Sequence, residues 1–408
     1  MSDSGNPGRC ADAVSAMPQS PNRIQSATVV QRRFGLSGLV LAAGMGLIPS
    51  VGFAQDCLQW LDRTSPFTFG PSVRYLHAMA YDGNRGVTTL FGGYVGSLPH
   101  YRGDTWEWNG TRWTLLNTTG PSPRYLHAMA YDSTRGVTVL FGGHDGSYKG
   151  DTWEWDGTAW TLRSTTGPSP RSGHAMAYDS ARGVTVLFGG YSGPHESDTW
   201  EWDGTTWTLR STTGPSPRYG HSTAYDIARG VTVLFGGGDN NPIGDTWEWD
   251  GTTWMLRSLT GPSPRTYHTM VYDSVREVTV LFGDYTGSNQ GDTWEWDGTA
   301  WSERRTRGPS FRQFPAMAYD SARGVTVLFG DHDSAYYGDT WEFTNSPFDG
   351  DCDSDKDLFD FAAFQRCFSP VEPPEAECAR FDQSGDEGVD LSDFASLSGE
   401  LTGPMPPP

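Results

Sequence analysis

From about residue 56 to residue 344 the chain alternates short runs of apolar, β-branched and aromatic residues with clusters of Gly, Pro, Asp, Ser and Thr. One stretch shows the pattern. "HAMAYD" begins at His127, "VTVLFGG" at Val137, "DTWEWD" at Asp151 and "TAWTLR" at Thr158. Each run is strand-length and lacks a helical period, and the intervening "DSTRG" and "DG" are turn chemistry. The expectation is four short antiparallel strands. The same four runs then recur along the chain. The first Trp of "DTWEW" falls at 106, 153, 200, 247, 294 and 341, every interval being 47 residues. The Arg that precedes each unit falls at 74, 124, 171, 218, 265 and 312, with a first interval of 50 residues and 47 thereafter. The extra residues lie between Gly93 and Asp104. Four-stranded units repeated at this period predict the blades of a propeller.

The ends of the array argue for a closed ring. Units one to five each carry three Trp, two in "WEW" and one in the fourth run. The sixth has Trp341 and Phe343, and then the pattern stops without a fourth strand. Trp60, in "CLQWLDR", lies upstream of the first unit and fits that missing strand. An N-terminal strand completing the last blade removes the exposed edges that a linear stack would leave. The fold class predicted is therefore all-β: a six-bladed β-propeller closed by an N-terminal strand, with a small α-helical calcium-loop module appended.

The Arg-x-x-His opening of each unit, the Gly-Gly closing the second strand and the paired aromatics of strands three and four resemble kelch repeats. The variant is similar to the central domain of galactose oxidase. Asp284 and Asp331 depart from the second Gly, and Pro315 from the His. The resemblance implies a fold more than a function. Oxidase chemistry of that kind needs a cysteine cross-linked to a tyrosine, and no cysteine lies between Cys57 and Cys352. "WDGTTW" only superficially resembles the aspartate box of sialidases.

Residues that repeat with the blades read as structural. The six periodic arginines are expected to bond loop carbonyls, and His77, His127, His174, His221 and His268 to pack between blades. The acidic pairs, such as Asp151 and Glu154, are expected to face solvent as strand and turn residues. The connections from strand two to strand three differ most between units, and loops on a rigid scaffold commonly carry binding. Tyr94, His100, Tyr101, His144, Tyr148, Tyr191, His195, Tyr285, His332 and Tyr336 lie in them. These aromatic groups with polar tips suit recognition of sugar or protein.

Charge changes the picture outside the repeats. The formal net charge is -20, from 29 basic and 49 acidic residues, which argues against nucleic acid as a partner. Residues 1–54 read as an export signal. Arg32 and Arg33 precede an apolar stretch from Phe34 to Ile48, with small Gly52 and Ala54 before Gln55. "QRRFGL" resembles a twin-arginine signal. Residues 55–346 form the propeller, 347–402 the calcium module and 403–408 a Pro-rich tail. No membrane span is expected after signal removal. After loss of Cys10 with the signal, Cys57, Cys352, Cys367 and Cys378 remain. Their even count suggests two disulfides with three possible pairings. Closure of the ring brings Cys57 near Asn345, which favours Cys57–Cys352 with Cys367–Cys378.

Two acidic segments recur at 33-residue spacing in the C-terminal region. Asp349, Asp351, Asp353, Asp357 and Asp360 occupy alternating and terminal positions of a twelve-residue loop, as do Asp382, Ser384, Asp386, Asp390 and Asp393. Calcium takes several oxygen ligands at such spacing. The pair resembles the duplicated loop of type I dockerins. Lys356 departs from the apolar residue usual there, and Ser354 and Glu387 from the usual glycine. That resemblance implies calcium as the cofactor and a cohesin-like or cell-surface protein as partner. No organic cofactor is expected. Together these features predict an exported binding or scaffold protein, periplasmic, at the cell surface or extracellular. A propeller face would take protein or glycan. The alternative is a carbohydrate-active hydrolase or lyase using the same face.

Overall fold

The computed structural model describes residues 58–345 apart from 65–68, 97, 118, 284–290, 305, 307, 311 and 333–335. It contains twenty-four strands in six four-stranded antiparallel sheets. The first strand, β1 (Leu58–Asp62), belongs to the last blade. Blade one is β2 (Ala78–Asp82), β3 (Val87–Phe91), β4 (Thr105–Trp108) and β5 (Trp113–Asn117). Blade two is β6 (Ala128–Asp132), β7 (Val137–Phe141), β8 (Thr152–Trp155) and β9 (Trp160–Ser164). Blade three is β10 (Ala175–Asp179), β11 (Val184–Tyr191), β12 (His195–Trp202) and β13 (Trp207–Ser211). Blade four is β14 (Ser222–Asp226), β15 (Val231–Phe235), β16 (Thr246–Trp249) and β17 (Trp254–Ser258). Blade five is β18 (Thr269–Asp273), β19 (Val278–Phe282), β20 (Thr293–Trp296) and β21 (Trp301–Arg304). Blade six is β22 (Ala316–Asp320), β23 (Val325–His332) and β24 (Tyr336–Asn345), with β1 as its outermost strand. No helix occurs among the described residues, and none there is long and apolar enough to cross a membrane.

Closure follows the expected register. Antiparallel pairing sets Leu58 opposite Asn345, Trp60 opposite Phe343 and Asp62 opposite Trp341. The Trp60 ring lies 5.1 Å from Phe343 and 5.0 Å from Phe282 of blade five. Cys57, Cys352, Cys367 and Cys378, both calcium loops and the export segment lie outside the described residues.

Neighbouring blades are joined by the same polar latches on every side. The Trp of each outer strand donates its indole N–H to a Thr of the preceding blade. Trp160 reaches Thr105 at 2.8 Å, and Trp113 reaches Thr340 at 2.8 Å across the closure. Trp60 does the same to Thr293 at 3.0 Å, so β1 behaves like any other fourth strand. Between these latches the second strands are sealed: Leu90, Phe141, Val233 and Leu328 are wholly buried. In the outer strand of blade two Trp160 is buried and Thr161 to Arg163 are exposed, so this edge of the sheet faces water.

One expectation is corrected here. The acidic pairs do not face solvent. Glu154 is 2 % exposed and accepts from Arg135, from Arg163 at 2.6 Å and from Trp202 of the next blade at 3.2 Å. The alternation of β8 turns Glu154 toward the neighbouring blade. A buried carboxylate persists there because cationic and indole donors surround it. Glu342 repeats the arrangement across the closure, accepting from Arg323, Arg63 and Trp108. At Glu295 the indole donor is lost, because Phe343 stands in its place, and Arg276 lies 5.5 Å over that ring instead.

Candidate functional site: an aromatic belt around one mouth

The connections between second and third strands share one mouth of the ring with the "TTGPSPR" loops, as β-bridges between the two sets record. Each such loop is anchored by its arginine. Arg124 donates through Nε to Ser122 O at 3.0 Å and through Nη1 to Gly142 O at 2.9 Å. Its Nη1 and Nη2 grip both oxygens of Asp151, at 2.7 and 2.9 Å. Arg74, Arg171, Arg218 and Arg265 repeat this clamp with Asp104, Asp198, Asp245 and Asp292. Arg312 grips Asp339. The six arginines are at most 1 % exposed. Burial works to raise Asp104, Asp151, Asp198, Asp292 and Asp339, but the arginine outweighs it and holds each below the usual carboxylate range. The periodic arginines are therefore framework.

The periodic histidines are framework too. His174 sits edge-on to Phe141 of the preceding blade at 5.4 Å, and His221 on Phe188 likewise. Burial, reinforced by the adjacent arginine, lowers His77, His174 and His268 to about 3. These imidazoles stay neutral in the fold.

Between each clamp and its histidine the chain turns through a left-handed residue. Leu76, Leu126, Gly173, Gly220, Tyr267 and Phe314 have φ of 56, 56, 64, 66, 58 and 60°. Four of these carry side chains, at roughly 1 kcal/mol or more each relative to ordinary backbone. The conformation aims successive backbones at one another. Leu126 N donates to Leu76 O at 3.0 Å, Gly173 N to Leu126 O at 2.9 Å, Gly220 N to Gly173 O at 2.8 Å and Tyr267 N to Gly220 O at 2.6 Å. The result is a collar of main-chain bonds linking blades one to five, over a cavity of about 180 Å³ that all six blades line.

Aromatic rings encircle this collar without a break. Starting from Tyr75, the chain of contacts runs to Tyr94 (5.2 Å), Tyr125 (5.7 Å), His144 (5.5 Å), Tyr148 (5.1 Å) and Tyr191 (5.7 Å). It continues to His195 (5.0 Å), Tyr219 (5.2 Å), Tyr267 (5.7 Å) and Phe314 (4.7 Å), and returns to Tyr75 (5.6 Å). His100 stacks on Tyr94 at 5.4 Å, and Tyr101 on Tyr125 at 5.4 Å.

No protein-family model and no curated protein matches the chain.

Seven residues expected from the variable loops thus fall in or on one belt: Tyr94, His100, Tyr101, His144, Tyr148, Tyr191 and His195. Tyr285 lies outside the described residues. His332 and Tyr336 are paired in the β23–β24 ladder, and their side chains lie outside the described set. Among the described residues no three His, Cys, Asp or Glu converge as a metal site would require. Sequence reasoning missed Tyr75, Tyr125, Tyr219, Tyr267 and Phe314. Their signal was present in the two residues between the repeated Arg and His, which vary from unit to unit.

The opposite mouth is built differently. Tyr81, Tyr131, Tyr178, Tyr225, Tyr272 and Tyr319, one per blade, line a second cavity of about 340 Å³. Burial, helped by the Asp320 carboxylate of the adjoining blade, pushes the Tyr81 phenol up to about 12. The tyrosine of this mouth repeats in every blade. Variation is concentrated at the belt.

Proposed function

We propose that the chain is an exported binding scaffold whose variable mouth recognises a glycan or a protein surface. The single observation behind this reading is the closed belt of tyrosine, histidine and phenylalanine carried on identical clamps. Rigid amphipathic rings offer wide contact area at small entropic cost, and their edges and hydroxyls give orientation. The carboxylates near the belt are held as anions by arginine, lysine or hydroxyl partners, which suits a framework better than acid–base work. The repeats are kelch-like in this reading. Residues 347–402 act as a dockerin-like module that uses calcium to attach the propeller to a second protein.

A glycan array run with the full chain, with calcium and with chelator, tests the proposal alongside a screen for hydrolase and lyase turnover. The expected result is calcium-independent retention on a subset of glycans, abolished by the double variant Tyr148→Ser, Tyr219→Ser. A cohesin-type partner should be captured only with calcium. Turnover of any glycan would replace the scaffold reading with a catalytic one. Retention that survives the double variant would move the site away from the belt.

A further inference from the structure

Blade one departs from its siblings around the loop that leads into it, and these departures build a groove. Phe69 stands where the later loops carry Thr119, Thr166, Thr213 and Thr260, and it is 76 % exposed. Its ring leans on Trp106 at 5.4 Å. Arg102 occupies the position two before the clamp aspartate, where the next units have Lys149, Glu196 and Ile243. With Tyr101, Pro121 and Pro123 these side chains line a groove of about 470 Å³ at the edge of the belt.

The charge in this groove is uncompensated. Arg102 makes no ion pair among the described residues, and its Nε is buried without a hydrogen-bond partner. Asp104, the acid in the same groove, is already held at both oxygens by Arg74 and by the Trp106 indole. Blade two has an equivalent groove of about 430 Å³ lined by Tyr148 and Lys149, but there Asp145 lies 2.8 Å from the ammonium and cancels it. The repeats act as an internal control: the cation of the blade-two groove has a carboxylate to itself, and that of the blade-one groove has none among the described residues.

We propose that the blade-one groove binds a carboxylated sugar of a glycan chain, its ring against Phe69 and Tyr101 and its carboxylate on the Arg102 guanidinium. A guanidinium fork matches a carboxylate, and flat aromatic walls match a pyranose face. A peptide strand fits less well. Arg102 N already donates to Gly93 O, and its carbonyl accepts from Arg124 N, so the floor offers no free ladder for strand addition. This deepens the reading above and rests on the glycan branch of it.

Titration calorimetry of the full chain tests it with short oligomers of galacturonate and of mannuronate, their methyl esters, and neutral galactan and mannan. At least one acidic oligomer should bind about tenfold more tightly than its own ester. Arg102→Gln should erase that difference, while Lys149→Gln preserves it. Phe69→Ser, at an exposed ring, should weaken acid and ester alike, and it serves if Arg102→Gln does not fold. Equal affinity for acid and ester, or a difference that survives Arg102→Gln, overturns the carboxylate assignment and leaves glycan binding standing. Failure of every oligomer, neutral ones included, overturns both the carboxylate assignment and the glycan branch of the reading above.

Discussion

Arg218 and Tyr219 are adjacent in sequence and follow opposite rules. The arginine is wholly buried, gives its N–H groups to fixed acceptors, and has a counterpart in every blade. The tyrosine lies in the belt, and the equivalent residue is Tyr75, Tyr125, Ser172, Thr266 or Gln313 elsewhere. The clamp satisfies the loop's backbone whatever follows it. The next side chain is then free to change without threatening the blade. Uniformity below the surface is what permits diversity on it.

That contrast can be attacked first through acid. The fold lowers the pKa of the periodic histidines, so it favours their neutral form. The unfolded chain binds more protons once pH drops below about 6.5, so stability is complete above that value and declines toward about pH 3. Five imidazoles share this sign, and His77, His174 and His268 should each contribute on the order of 1–2 kcal/mol of loss at about pH 5. Asp104, Asp151, Asp198, Asp292 and Asp339 also have depressed values, and their share is lost only below about pH 4. Urea unfolding across pH measures the slope, and His174→Phe should flatten it by one residue's share. A flat profile between about pH 7 and pH 5 would remove the imidazoles from the framework.

Next in size is Arg218→Met. It strands Asp245 and the carbonyl of Gly236, and should cost about 3–5 kcal/mol in denaturant unfolding. Smaller is Trp60→Phe, which keeps the ring but orphans Thr293, at about 1–3 kcal/mol. Trp301→Phe, the same latch one blade back, should cost the same within experimental scatter. A much larger loss at Trp60 would mark β1 as more than an ordinary fourth strand. Smallest is Tyr219→Ser, expected to move stability by less than about 1 kcal/mol while weakening ligand retention. A large loss of stability there would erase the distinction between clamp and belt.

Much of the ring is legible in sequence. Fixed spacing, the missing fourth strand of the sixth unit and an unmatched Trp60 suffice to predict six blades and their closure. Periodicity also separates Arg124 and His127 from ligand-binding roles. It misleads at Glu154, because alternation along a strand does not say which face meets a neighbouring blade. The belt is half legible. Tyr94 and His144 sit in loops that differ visibly, but Tyr125 and Tyr267 hide between two repeated residues. Their partnership depends on left-handed turns that composition signals only at Gly173 and Gly220.

Because β1 pairs with β24, the first strand of the ring to leave the ribosome is completed by the last. Some 276 residues separate Thr64 from its partner Thr340, and all of them must be synthesised before that contact can form. The entropic charge for so long a span grows only logarithmically, so the delay matters more than the energy. Until then β1 is an edge without a sheet, and the seam it closes is where two nascent copies could exchange strands.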